Sequence, residues 1–206
     1  PETPGAFEPI LRQLSKVPIA GAVLGSKSGE AIVRYIERAT GNVYEIGANG
    51  EGEKRLTNTT IPKVYEALWS KSGTALIARY TRDNSEIIES FSARVAPGSS
   101  SGEGELQGTF LPRNIPNVAV SPDGGSLFYF QEENGGVSGI KSDFSGSNRT
   151  KLWSSPLKEW LVSWPSANKI ALLSKPSFLA SGMLVSLDPG TGGITLLLRG
   201  ILGLTA

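Results

Sequence analysis

The chain has 206 residues, 39% of them hydrophobic and 19% charged, with 20 Lys and Arg against 19 Asp and Glu for a net charge of +1. That balance leaves no electrostatic footprint for nucleic acid, and no stretch gathers Lys and Arg into a polybasic arm. Cys and His are both absent, which removes disulfides, thiol nucleophiles, Cys-based zinc sites, the commonest general base and every Ser/His or Cys/His dyad.

Pro1 to Pro9, PETPGAFEP, is rich in Pro and reads as a linker. Residues 10–15 read as a short strand. Ala20 to Leu24 is apolar, Ser26-Lys27-Ser28-Gly29 is a turn, and Ala31 to Ile36 and Val43 to Ile46 are strands, with Glu53 to Thr57 as a fourth. The order then restarts: Lys63 to Trp69, a turn at Ser70-Lys71-Ser72-Gly73, Ala75 to Thr81, and Glu86 to Val95. A third copy runs from Asn117 through the turn Ser121-Pro122-Asp123-Gly124 into Ser126 to Phe130. It turns at Glu132 to Gly136 and continues as Val137 to Ser142. Here Pro pre-sets φ, Asp bonds its own backbone and Gly accepts a positive φ. The fourth copy has Trp160 to Trp164, a turn at Pro165 to Asn168, Lys169 to Ser174, a longer turn, and Met183 to Leu187.

Equivalent turn positions fall at 26, 70, 121 and 165, intervals of 44, 51 and 44 residues. The long interval holds the polar insert Pro97 to Glu105, PGSSSGEGE, and evens out once about seven of its residues are removed. A period of roughly 40 to 45 residues with four short strands is the pattern of a β-propeller blade. One twisted four-stranded sheet cannot bury both apolar faces alone, so copies stack around an axis. The spacing predicts an all-β propeller of four four-stranded antiparallel blades at about 20–62, 63–116, 117–157 and 158–200.

The turns at Trp69-Ser70-Lys71-Ser72-Gly73, Val120-Ser121-Pro122-Asp123-Gly124 and Trp164-Pro165-Ser166-Ala167-Asn168 resemble the W-S-P-D-G turn of the TolB-type propeller repeat. Leu56-Thr57 and, less closely, Leu152-Trp153 stand where that repeat has its L-T. The first copy has Gly25 in place of Trp, and the fourth lacks the Asp and Gly. The resemblance implies that the turn joins the two innermost strands of each blade and is structural. Aligned with the copies, residues 10–15 would be the outer strand of a preceding blade, and 201–206 the start of a following one. The segment 10–206 then reads as four blades of a larger ring, of roughly six to eight blades; a closed four-bladed ring is the alternative.

Several constellations suggest chemistry, and each has a plainer reading. Ser121 to Phe128 fits the loose S-x-D-x-G-x-x-aromatic pattern of the sialidase Asp-box, which is itself a turn device. Glu132, Glu133 and Asp143 offer oxygen ligands of the kind calcium takes, but loop acids beside Asn and Gly more often form turns. Asn58-Thr59-Thr60 and Asn148-Arg149-Thr150 match the glycosylation tripeptide and read as surface turns. Arg34-Tyr35 and Arg79-Tyr80 occupy matching places in two copies, either facing a channel or packing between blades. Trp69 and Trp164 share one repeat position and read as inter-blade core.

Blade-to-blade links share a rim with the second-to-third-strand turns. Exposed aromatic and Arg anchors are what interfaces favour, so the binding candidates are Tyr65, Arg113, Asn114, Lys158 and Trp160. The sequence thus leads to a non-catalytic propeller module with a protein or peptide partner, without cofactor, nucleic acid or direct membrane insertion. By the TolB resemblance it would lie within a larger exported or envelope protein, extracytoplasmic in location. The alternative is the propeller portion of a prolyl-oligopeptidase-like hydrolase, with a G-x-S-x-G catalytic domain elsewhere.

Overall fold

The structure is a computed structural model that describes residues 11–82, 85–96, 98, 103–176 and 181–201. Among the described residues sixteen strands form four sheets, each an antiparallel meander taken in chain order. The first sheet holds β1 (Ile19–Lys27), β2 (Glu30–Glu37), β3 (Val43–Gly47) and β4 (Lys54–Arg55). The second holds β5 (Val64–Trp69), β6 (Ala75–Thr81), β7 (Ile88–Ala96) and β8 (Glu105–Phe110). In the third are β9 (Val118–Val120), β10 (Ser126–Glu133), β11 (Gly136–Asp143) and β12 (Thr150–Ser155). In the fourth are β13 (Trp160–Ser166), β14 (Lys169–Ser174), β15 (Gly182–Leu187) and β16 (Ile194–Ile201). The arrangement is a four-bladed β-propeller, and no helix occurs among the described residues.

Burial explains the stacking. Strand side chains alternate between faces, so each sheet offers one apolar face to the blade before it and one to the blade after. Three core clusters result, one at each seam. Ile36 and Val43 meet Val64, Ala67, Leu76 and Ala78 between the first two blades. Ile77, Leu111 and Ile115 meet Val118, Leu127 and Tyr129 between the second and third. Phe128, Phe130 and Val137 meet Trp160, Trp164, Ile170 and Leu172 between the third and fourth. Trp69 packs against the first of these clusters and Trp164 lies in the last, as the shared repeat position predicts. At the inner edge, β1 and β5 approach so closely that a Cβ on Gly21 would sit 2.2 Å from the Ala67 carbonyl oxygen.

The Ser-centred turns are built alike in the second and third blades. Ser70 Oγ accepts from the Ala75 amide at 3.1 Å, and Ser121 Oγ from the Ser126 amide at 2.9 Å. Asp123 accepts from Ser121 Oγ and from the Gly125 amide. Gly73 and Gly124 have φ of 66° and 76°, and each lies against the preceding blade: a Cβ on Gly124 would be 2.6 Å from the Lys71 nitrogen. The S-P-D-G turn is therefore both a hairpin closure and a blade-to-blade contact, and its Asp closes the turn through Oδ1.

Several boundaries differ from those predicted. The first turn is the two-residue hairpin Ser28-Gly29, with φ of 51° and 85°, a pair that suits a tight hairpin; Ser26 and Lys27 belong to β1 instead. The third-blade turn narrows in the same way to Asn134-Gly135, leaving Glu132 and Glu133 in β10. Of the insert, residues 97 and 99–102 lie outside the described residues, while Glu105 opens β8 and Gly104 bridges Thr57. Leu11 to Ser15 forms no strand; Ser15 bonds locally to Val17, and Arg12 and Leu14 lie against the turn at Gly50. Ile201 completes β16 by pairing with Gly182 rather than opening a new blade, and residues 202–206 lie outside the described residues.

Candidate functional site: the rim at the blade links

The links between blades run through residues 56–63, 111–117 and 156–159, on the same rim as the second-to-third-strand turns. The first two links converge around the second blade. Ile61 and Pro62 of the first link, with Tyr80, Phe91 and Phe110 of the second blade, wall an apolar pocket of about 260 Å³. Phe91 and Phe110 are cross-strand partners, with ring centroids 5.0 Å apart, and Phe110 is 55% exposed. Tyr80 pairs across the sheet with Glu89, so the carboxylate lies on the same face as the aromatic row.

Glu89 is buried, yet Arg82 and Arg113 both bring Nε to its Oε1, at 3.2 and 3.1 Å. Both guanidinium groups are more than half exposed, so the trio keeps one surplus positive charge at the surface. Burial, and then the Glu89 charge, push the Tyr80 hydroxyl above its usual pKa. The result is an aromatic pocket whose Tyr80 wall has the Glu89 group with its two arginines as cross-strand neighbour, outside the pocket lining itself.

Of the predicted contact residues, Tyr65, Arg113 and Asn114 come to the second blade and its following link. Tyr65 is part-exposed, and the Arg79 guanidinium lies 5.5 Å from its ring centroid. Arg79 is buried, ion-paired with Glu66, and donates to the carbonyls of Ile115 and Pro116 at 2.6 and 3.1 Å. Asn114 is a latch: its φ is 55°, its Oδ1 accepts from the Ile88 amide and its own amide donates to the Ile88 carbonyl. Lys158 is exposed on the next link.

Trp160 corrects the expectation of an exposed anchor. It is 3% exposed, its indole N–H donates to the Leu157 carbonyl at 3.0 Å, and Trp153 packs edge-on at 4.8 Å. The cause is its position as the first residue of β13, on the face turned to the third blade. Trp160 is core, not interface.

The remaining motifs resolve into structure. Arg34 and Arg79 do occupy equivalent places, each facing the following blade: Arg34 donates to the Gly73 carbonyl at 3.0 Å and Arg79 to the Ile115 carbonyl. Glu133 pairs with Lys151, and Asp143 closes its own turn through Ser145, Ser147 and Asn148. Among the described residues no group of three His, Cys, Asp or Glu side chains is placed to hold a metal ion. The pocket walled by Phe110 and the Arg82–Glu89 pair went unread in the sequence. The 44-residue period, carried from Glu53 to Thr57 of the first copy, falls on positions 97–101 inside the polar insert, so the spacing gave no pointer to β8.

No family model matches the chain, and no curated protein matches it. Solved structures do. TolB from Acinetobacter baumannii superposes with a TM-score of 0.50 at 15% identity, over 84% of this chain and 43% of that one. A puromycin-hydrolyzing peptidase from Mycobacterium tuberculosis gives 0.51 at 11% identity, over 86% of this chain and 30% of that one. The chain thus spans less than half the length of either structure. At these identities the likeness is one of fold: this chain has the blade architecture found in TolB-like propellers.

Proposed function

We propose that the chain is a non-catalytic propeller module that binds a protein or peptide partner on the link rim. The observation that carries this is the pocket walled by Tyr80, Phe91 and Phe110 beside the surplus charge of Arg82 and Arg113. Aromatic and Arg side chains are the usual energetic anchors of interfaces. The partner is an extended segment with an apolar side chain for the pocket and an acidic residue next to it. In line with the TolB resemblance, the module works within a larger exported or envelope protein. Leu24 on the first sheet, and Ile194, Leu196 and Leu197 on the last strand, are exposed apolar residues that suit further blades of the same protein.

A second reading is the propeller portion of a hydrolase, supported by the fold shared with a peptidase. A G-x-S-x-G elbow in an adjoining domain would favour it. The rim reading is tested by selecting peptides from a random library and measuring their affinity for the protein and for Phe110→Ala and Arg113→Ala. Selected sequences should carry an apolar–acidic pair, and each substitution should weaken binding by about 1–2 kcal/mol. Peptides that bind both variants as well as the parent would refute it.

A further inference from the structure

The opposite rim, where first-to-second-strand turns and third-to-fourth-strand turns meet, carries a second constellation. At the seam of the first two blades, Glu45 is almost fully buried and takes three cations. Lys27 and Lys54 both bond its Oε1, at 3.0 and 3.2 Å, while Arg34 binds Oε2 through Nε and Nη2 at 3.0 and 2.9 Å. Arg55, on the same strand as Lys54, pairs with Glu103 of the second blade. Four cations face two carboxylates, so the cluster has two positive charges to spare.

The surplus sits on the lysines. Arg34 spends its remaining Nη1 on the Gly73 carbonyl, and Arg55 is bound twice to Glu103. Lys27 and Lys54 are each about half exposed, and each ammonium has three donors of which Glu45 takes one. Because both bond the same oxygen, their nitrogens lie at most about 6 Å apart, a gap that two oxygens of one tetrahedral oxyanion can bridge with bonds of about 2.8 Å. They open into a cavity of about 510 Å³, with Leu56 and Val95 half-buried in its wall. That volume exceeds what a bare oxyanion fills.

We propose that this cleft binds a phosphate monoester, its dianion bridging Lys27 and Lys54 and its organic part lying against Leu56 and Val95. The site lies on the rim opposite the peptide pocket and does not depend on it. Glu45 acts as a positioning residue, holding two like charges together that would otherwise separate.

The test is a titration of the whole chain with glycerol 2-phosphate at low ionic strength, followed by calorimetry and by the methyl NMR signals of Leu56 and Val95. Saturable binding with movement of both methyl sets is expected, and Lys27→Gln and Lys54→Gln should each weaken it about tenfold. The methyl signals of the unsubstituted protein report the site even if a variant folds poorly. Absence of saturable binding, or unchanged affinity in both variants, would overturn the site. Equal affinity for inorganic phosphate without methyl movement would overturn the assignment of an ester.

Discussion

Replacing Glu45 by Gln tests whether the first seam is held by charge as well as by apolar burial. Burial opposes the charged carboxylate, but hydrogen bonds from Lys27, Arg34 and Lys54 outweigh it and hold the pKa at about 2 rather than 4.5. At 1.36 kcal/mol per unit, that drop corresponds to about 3 kcal/mol at most. Lys27 and Lys54 are half exposed, so screening by water reduces it to about 1–2 kcal/mol. In a chain of this length each kcal/mol moves Tm by about 2–4 °C. The folded pKa lies below the unfolded one, so the contribution is present above pH 4.5 and is lost as pH falls towards about 2. Urea unfolding of both proteins from pH 7 to pH 2.5 should therefore show a deficit in the variant at neutral pH that closes in acid. A deficit of the same size at both ends, or none at pH 7, would refute the ion-pair account.

Four further substitutions test the seams and turns. Gly124→Ala should cost about 2–3 kcal/mol by urea unfolding, since a Cβ there meets both a positive φ and the Lys71 backbone. Gly135→Ala, with a positive φ but open space around it, should cost only about 1 kcal/mol; equal losses would mean that the turn-to-turn contact contributes nothing. Trp160→Ala should lower stability by about 3–5 kcal/mol in the same assay, while the folded fraction keeps its full affinity for peptides selected on the link rim. Ser121→Ala should cost about 1–2 kcal/mol, because the Ser126 amide loses the acceptor that buried Ser121 supplies.

The repeat was legible because turn chemistry is local. Ser121, Asp123 and Gly124 bond to residues within five positions of themselves, so their pattern survives in the sequence whatever packs around it. Thr57, part of the L-T signature, is likewise buried with its hydroxyl accepting from the Val43 amide. The seam contacts are non-local and left weaker traces. Trp160 stands beside the exposed link residues Lys158 and Glu159, and only the face on which β13 begins decides that it is core. Lys27 joins Glu45 because a two-residue hairpin lengthens β1 by two residues, a choice between turn lengths that Ser26 to Gly29 leaves open. The rim pocket needed the link at Ile61 and Pro62 to fold over a strand that begins some forty residues later.

The most direct measurement of the rim proposal is an amide chemical-shift map of the protein titrated with a selected apolar–acidic peptide. The account predicts shifts grouped at residues 59–61, 80–82, 89–91, 110–111 and 113–114, with the turns at 28–29, 70–74 and 123–125 unmoved. Shifts centred on those opposite-rim turns, or spread over no common surface, would contradict it.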